Sequence, residues 1–483
     1  MYTGDRMISV KDYEGFGEGF GVASQTDVDN LNKALEAGYQ ISNQTGGSAL
    51  RPESLENTLK VVTIQNEHIK FWRSIPKSPA YSTVEEYNRR VRYGGRGGAF
   101  ITEGALPRSE DGEYARKTAL VKFLGTTREI THPMQLVRSA HGNVVALETQ
   151  AGALWILERL EESLFFANSE HIAEEFDGLD KLIIDGLADS TAEGRSTLRG
   201  GSTGDASIID MRGGSMTEGA FEEAAEVIQK NAGMPTDFWS GTRVVSDFVK
   251  TFYPKERYSM PAPRDGVVGI GINKVITSVA PINLNPDIFL APIKSAPAAA
   301  DNASSPTKPT SVTVTVQAVS TSRGFEVAEY GTYYYTVCAL SKSGESVVEA
   351  GNVAAVVAAA GSSEVKLSIV VGAVSGNDAT SAYRIYRSKL GGAAADMQFI
   401  RQVAVTTPGP TVVLDGNEDL PGTSRAYMIQ QNAMNLNFRQ LAPMLKMPLA
   451  RIASADRWMQ LLYGVPILYT PRKNVIFKNI GDA

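Results

Sequence analysis

Residues 330–339 read Tyr-Gly-Thr-Tyr-Tyr-Tyr-Thr-Val-Cys-Ala, and residues 383–388 read Tyr-Arg-Ile-Tyr-Arg-Ser. Both segments alternate aromatic or β-branched residues with smaller or polar ones, which is the two-residue period of a β-strand. Short runs of this kind recur from about Pro306 to Tyr427, and Gly, Ser, Asn and Pro separate them. Such spacing is typical of a β-sandwich. We therefore predict a self-contained all-β unit over residues 305–427.

The chain on either side of this unit has a different character. It mixes helical and strand patterns with many charges before the unit, and the mixed pattern returns afterwards and continues to Ala483. The β unit is therefore predicted to be an insertion into a host that chain from both sides completes. The clearest host element is a long helix over 143–170, because Leu147, Leu154, Leu157 and Leu164 recur at helical spacing.

Shorter patterns predict the remaining host elements. Helices are predicted over 28–37, 56–75, 218–231 (capped by Thr217 and closed by Gly233) and 242–253 (stopped by Pro254). Strands are predicted at 238–239, 267–279, 288–293 and 475–477. Residues 1–55 carry little apolar surface, so they are predicted to be an arm, either disordered or laid on a neighbouring subunit.

Residues 76–126 predict a long two-stranded ribbon with a glycine-rich tip at 94–98. A two-stranded ribbon is barely stable alone in water, so it needs support from elsewhere. The densest basic cluster of the chain lies on this ribbon and consists of Arg89, Arg90, Arg92 and Arg96. We predict that these side chains contact acidic groups of an adjacent subunit. A solvated loop and a nucleic-acid contact are the alternatives.

Bulk composition limits the classes of protein. The 483 residues are 43% hydrophobic, enough for two or three domains. A net charge of −6 argues against a protein that coats nucleic acid with its whole surface. One cysteine, Cys338, rules out an intrachain disulfide and favours a reducing compartment. We expect neither a signal peptide nor a transmembrane helix.

No pattern of catalytic or ligand-binding residues is convincing. The four histidines lack metal-ligand spacing, and the glycines at 269 and 271 lack the third glycine of a dinucleotide fingerprint. Ser202 lies in a Gly-x-Ser-x-Gly match, but no histidine follows it in the chain. The acidic pairs 161–162 and 174–175 are predicted to be solvated surface. We therefore expect no cofactor, no metal and no enzymatic activity.

Two resemblances to known families follow. The Gly-x-Tyr-x-Tyr-x-Val and Ile-Tyr-Arg-Ser strands resemble fibronectin type III and immunoglobulin-like modules. The order of host elements, with the stretches 240–250 and 469–477, resembles the major capsid proteins of tailed bacteriophages. That resemblance implies an α+β, Hong Kong 97-like capsid fold. The implied parts are an N-terminal arm (1–55), a peripheral domain (56–171) that contains the E-loop (76–126) and the spine helix (143–170), an axial domain (172–304), the inserted sandwich (305–427) and a return segment (428–483).

The resemblance also implies a function. Subunits would self-assemble in the host cytoplasm into pentamers and hexamers of an icosahedral virion shell around double-stranded DNA, with the insert outside. Scaffolding, portal and decoration proteins are the implied partners, the packaged DNA would be held without sequence specificity, and no membrane is involved. Three other classes stay open: a cargo-enclosing compartment shell, a tail or baseplate protein, and an adhesive binding protein. An enzyme is a further, less favoured class.

Overall fold

The computed structural model describes residues 62–94, 100–137, 142–189, 207–256, 272–293, 295–319, 324–348, 353–357, 363–372, 377–451 and 453–481. The chain separates into two compact units: Met1–Lys60 with Val137–Val144, and Val61–Leu136 with Val145–Ala483. The contacts given below lie within the second unit. The predicted arm and its helix over 28–37 lie outside the described residues.

The described helices are α1 (Phe71–Ser74), α2 (His132–Leu136), α3 (Val144–Phe166), α4 (Leu179–Ala188), α5 (Glu218–Lys230) and α6 (Thr242–Glu256). The described strands are β1 (Lys77–Pro79), β2 (Val84–Arg92), β3 (Glu113–Leu120), β4 (Lys122–Thr131), β5 (Ile208–Asp210), β6 (Asp237–Ser240), β7 (Lys274–Ile276), β8 (Pro281–Pro286), β9 (Ser311–Gln317), β10 (Gly331–Ser341), β11 (Gly344–Glu345), β12 (Val353–Val357), β13 (Glu364–Val370), β14 (Ala382–Arg387), β15 (Gln398–Ala404), β16 (Thr411–Asp415), β17 (Ser424–Ile429), β18 (Leu436–Pro448), β19 (Ala455–Leu468) and β20 (Val475–Ile480).

A six-stranded sheet with the order β5-β20-β17-β6-β8-β7 separates two cores. Alternate residues of a strand face opposite sides of a sheet. Phe238 therefore packs against α5 and α6 in one core, where the ring centroids of Phe221 and Phe248 are 4.9 Å apart. Its neighbour Trp239 enters the other core together with Tyr427. Chain from both sides of the insert thus builds this sheet.

The second core lies between that sheet, α3 and a four-stranded sheet with the order β1-β18-β19-β4. Leu160, Leu164 and Phe165 of α3 are fully buried there. Phe165 stacks on Tyr427 with 5.7 Å between ring centroids, which joins the helix to the six-stranded sheet. The long helix predicted over 143–170 is therefore present as α3, and we call it the spine helix.

The ribbon predicted over 76–126 is present as the antiparallel pair β2–β3, which forms a sheet of its own. The amide of Val121 donates to the carbonyl of Thr83 at 2.9 Å and closes its root. The predicted second strand, however, belongs to two sheets. It leaves the ribbon after Leu120, and Lys122 begins β4, which pairs with β19.

The predicted β unit contains two antiparallel sheets, β11-β10-β14-β15 with β12 beside β10, and β16-β13-β9. They share one buried cluster to which Tyr335, Tyr383 and Leu367 contribute. The sandwich strands end at Asp415. The predicted boundary at 427 falls inside β17, which pairs with β6 and β20 of the host.

Several predicted elements differ from the structure. The helix predicted over 56–75 is, among the described residues, a 3-10 turn at Asn66–His68 and the single turn α1. The strand predicted over 267–279 is, among its described residues, only β7, and the one predicted over 288–293 is a 3-10 turn at Ile288–Leu290. Asp287 caps that turn by accepting from the amide of Phe289.

Two predicted helix ends were also wrong. Helix α5 begins after Thr217 as predicted, but the left-handed residue at its end is Ala232 (φ 59°) rather than Gly233. The amide of Gly233 instead closes the motif on the carbonyl of Ile228. Helix α6 continues two residues beyond Pro254.

The sequence did not predict β18 and β19, the two longest of the described strands. Residues 436–469 contain prolines, and proline is rare inside sheets.

Candidate functional site

The ribbon rests on its own chain through its inner face. The guanidinium of Arg89, 9% exposed, donates to the carboxylate of Asp189 at 2.8 Å and to the carbonyl of Leu468 at 3.2 Å. Lys117 on the opposite strand reaches the same carboxylate at 2.9 Å. Asp189 follows α4, so one acidic group ties both ribbon strands to the host.

Aromatic packing supports this anchor. The rings of Tyr87 and Tyr469 meet edge to face with centroids 5.1 Å apart. The Tyr87 hydroxyl accepts from Arg89 at 3.2 Å, and burial raises the pKa of that phenol. The ring is therefore kept neutral and fixed beside the ion pair, which stiffens the root of the ribbon.

The outer face of the ribbon carries the other arginines. Arg90 is exposed and lies 5.1 Å from the ring centre of Tyr93 and 5.3 Å from that of Tyr114. The hydrogen bond and charge interaction with Tyr114 raise the pKa of Arg90. Arg92 is paired with Glu113 at 2.6 Å, across the ribbon. Arg96 lies outside the described residues.

The same ribbon exposes large apolar side chains. They lie on both strands and on the described part of the connection between them: Val84, Tyr93, Phe100, Ile101, Leu106, Tyr114 and Leu120. The outer face therefore combines aromatic rings, aliphatic groups and a guanidinium, the composition that is enriched in protein interfaces.

Contacts near His171 and Ile293 form a joint between the sandwich and the host. Ile172 of the host is buried with Leu340 and Ala382 of the sandwich. The side chain of Gln402 lies 3.1 Å from Nδ1 of His171. The amide of Phe399 donates to the carbonyl of Ile293 at 3.3 Å. The insert is thus attached by side-chain packing as well as by its two connecting chains.

A cavity of about 870 Å³ opens beside this joint, between the spine helix and the sandwich. Glu175 and Arg384 line it from opposite sides. Burial raises the pKa of Glu175 to about 7, although the amide of Asn168 and the charge of Arg384 act in the other direction. Arg384 pairs with Glu345 at 2.9 Å.

The two acidic pairs predicted as solvated surface behave otherwise. Glu161 is completely buried, and its carboxylate accepts from the amides of Lys70, Phe71 and Trp72 at 2.6–2.8 Å. Its neighbour Glu162 is partly exposed and pairs with Arg159. Glu175 is largely buried, whereas Glu174 is exposed. The prediction was wrong for one member of each pair, because adjacent residues of one segment face different surroundings.

Other candidate motifs give no site. Ser202 and the glycines at 269 and 271 lie outside the described residues. Among those that the structure describes, no cluster of three or more histidine, cysteine or acidic side chains could hold a metal ion. Cys338 is buried in the sandwich, and burial raises the pKa of its thiol. None of the described helices is long and apolar enough to span a membrane.

Comparison with known proteins gives one consistent class. No protein-family model matches the chain. The major capsid protein of Staphylococcus phage S25-3 is 27% identical to it over 476 residues, which cover 94% of this chain and 95% of that protein. The corresponding protein of Staphylococcus phage K gives the same identity and coverage.

The chain is similar to phage major capsid proteins along nearly its whole length. This similarity supports a structural protein of a bacteriophage capsid shell, located in the virion, and points away from an enzyme. The mixture of helices and sheets is consistent with the Hong Kong 97-like fold.

Two solved structures complete the comparison. The capsid of the native GTA particle gives a TM-score of 0.44 at 7% identity, covering 90% of this chain and 98% of that one. A structure from Mycobacterium phage Adephagia gives a TM-score of 0.42 at 7% identity, covering 88% and 91%.

Proposed function

We propose that this protein is the major capsid subunit of a tailed bacteriophage. Pentamers and hexamers of it build an icosahedral shell that encloses a double-stranded DNA genome. The observation that carries the proposal is the 27% identity to phage major capsid proteins over 94% of the chain. Similarity that includes the arm, the ribbon, the spine helix and the sandwich favours a common assembly rather than one shared domain.

The ribbon supplies the physical reason for assembly. Its inner face is occupied by Asp189 and Tyr469 of the same chain, but its outer face leaves rings and aliphatic groups in water. Burying apolar surface contributes about 25 cal/mol per Å². A neighbouring subunit that covers this face would gain that energy, so we assign the ribbon to the role of the E-loop.

The four arginines named from the sequence divide into different roles in this proposal. Arg89 holds the ribbon to its own subunit. Arg90 is the candidate for a contact with a neighbour, because aromatic rings hold its guanidinium on the outer face. Arg92 already pairs with Glu113. It would contact a neighbouring subunit only if it paired with a second carboxylate as well, or in place of Glu113. For Arg96 the inter-subunit contact remains the sequence prediction.

We assign the inserted sandwich to an immunoglobulin-like module on the outside of the shell. Its purely antiparallel sheets and shared core support the fold assignment. A shell filled with genome has no room for a further domain per subunit on its inner side. The outer position would let the module meet the host surface or a decoration protein, while scaffolding and portal proteins act elsewhere on the shell.

Electron microscopy of the purified protein tests the proposal. Closed particles with five- and six-fold clusters are expected, and DNA inside particles from infected cells should resist nuclease. The variant Arg90→Glu should shift the protein toward free subunits, whereas Lys389→Glu on the exposed surface of the insert should assemble normally. Purified protein that forms only tubes or monomers would contradict the proposal.

A further inference from the structure

Two carboxyl groups interact in the interior of the protein, beside the segment 70–72. Glu161 lies on the spine helix and is completely buried. Asp287 follows β8 and is 1% exposed. The charge of Asp287 helps to raise the pKa of Glu161, and hydrogen bonding with Glu161 acts on the pKa of Asp287 in the lowering direction. They bring together three parts of the chain: the spine helix, the segment 70–72 that leads to the ribbon, and the end of β8.

The oxygen atoms of the two groups have unequal partners. Both oxygens of Glu161 accept from backbone amides: Oε1 from Lys70 and Phe71, and Oε2 from Trp72. Oδ1 of Asp287 accepts from the amide of Phe289 at 2.9 Å. Oδ2 of Asp287 is buried and has no donor among the described residues. A buried acceptor without a donor is costly, and two touching carboxylates in the interior resist joint ionisation.

We propose that Glu161 and Asp287 share one proton, and that this proton fastens the segment 70–72 and the end of β8 to the spine helix. The proton lets one carboxyl group donate to the other, so the buried Oδ2 of Asp287 gains a partner. Two cations face the pair. Lys70 donates to the carbonyl of Pro286 at 3.0 Å and acts on Asp287, and Lys77 acts on Glu161.

The direction of the pH dependence follows from the surroundings. Burial raises the pKa of Glu161 to about 7, and the charge of Asp287 adds to this effect against the amides of Trp72 and Phe71. Burial also raises the pKa of Asp287. The state in which Glu161 and Asp287 interact therefore binds more protons than a state in which they are separated, between about pH 4.5 and 7. We call this interaction of Glu161, Asp287 and the segment 70–72 the latch. It is strongest at the acidic end of this window and weakens as the pH rises through it.

Hydrogen exchange in the full chain measures this latch directly. The protection factors of the amides of Lys70, Phe71 and Trp72 are followed as the pH rises from about 5 to 8. One linked proton predicts a loss of protection of up to about tenfold per pH unit up to about pH 7, and little further change above it. In Asp287→Asn the side-chain amide can donate to Glu161 without a proton, so protection should be nearly constant with pH.

The variant Glu162→Gln is the matched control, because it removes the next carboxylate of the same helix and leaves the buried pair intact. It should show the wild-type pH dependence. The infrared band of a protonated carboxyl group provides a second measurement on the wild-type protein, and Glu161→Gln should remove it.

Protection at 70–72 that does not change with pH in the wild type, or that changes equally in Asp287→Asn, would overturn the proposal. So would the absence of a protonated carboxyl band at about pH 6. The readouts require only the folded subunit, so a failed latch and a failed shell assignment are distinguishable.

Discussion

Arg89 and Arg90 are neighbours in sequence but point to opposite faces of the ribbon, and only Arg89 has an ion-pair partner within the described chain. The guanidinium of Arg89 lies 2.8 Å from Asp189, whereas that of Arg90 lies against the rings of Tyr93 and Tyr114. A single cluster of basic residues therefore contains one group that is paired within the subunit and one that is exposed on the outer face.

Replacing Arg89 should weaken the subunit itself. Arg89→Ala removes one of the two cations that pair with Asp189 in the ribbon, where Lys117 stays, and it removes the donor to the carbonyl of Leu468. We expect a loss of about 1.5–3 kcal/mol in the free energy of unfolding, the range of hydrogen bonds to charged groups. Urea unfolding of unassembled subunits measures it, with Arg90→Ala as the control that should leave that free energy within about 0.5 kcal/mol of wild type. Equal losses for the two variants would contradict the assignment of faces.

Arg90→Glu should affect assembled particles instead. Reversing the charge on the outer face replaces an attraction with a repulsion at any acidic partner surface, and the effect should shrink as salt rises. We expect particles to melt at a lower temperature at low ionic strength, while the unfolding of free subunits is unchanged. Particles that melt at the wild-type temperature at low salt would count against an inter-subunit role for Arg90.

The ion pair in the sandwich core predicts a much larger effect. Arg387 and Asp415 are each 1% exposed, 2.6 Å apart, and the hydroxyl of Tyr335 also donates to Asp415. Arg387→Ala leaves a buried carboxylate without its charge partner, which costs about 3–5 kcal/mol. Arg387→Ala with Asp415→Ala should recover part of the loss. Thermal unfolding of the sandwich checks both variants, and a nearly neutral Arg387→Ala would show that water reaches Asp415.

The joint between sandwich and host should respond to pH. Because the pKa of Glu175 is raised to about 7 from its usual 4.5, its contribution to stability is fully present below about pH 4.5 and is lost as the pH rises to 7. Glu175→Gln should therefore stabilise the joint at pH 8 by on the order of 1 kcal/mol and change little at pH 4. Limited proteolysis near 293–305 at the two pH values tests this, with Glu174→Gln as the control. An equal effect of both variants would refute the burial argument.

The sequence predicted most of the elements that depend on periodicity alone. The spine helix, helix α5, the ribbon and the strands of the sandwich carry patterns that local physics determines. The long strands β18 and β19 could not be predicted in this way, because bulges at 440–445 break their alternation and prolines interrupt their pattern.

The buried carboxyl groups had a signal that was missed. Glu161 is four residues after Leu157 and three before Leu164, which places it on the apolar stripe of the spine helix rather than beside Glu162. Likewise, Arg89 and Arg90 must face opposite ways in any strand. What sequence could not supply was the partner of each group, since Asp189 and Asp287 are 100 and 126 residues away in the chain.

Cryo-electron microscopy of the assembled protein tests the central claim most directly. The account predicts closed icosahedral particles whose ribbon, with Arg90 on its outer face, lies on a neighbouring subunit and whose sandwich projects outside the shell. Particles in which the ribbon contacts only its own subunit, or a purified protein that never closes into shells, would contradict it.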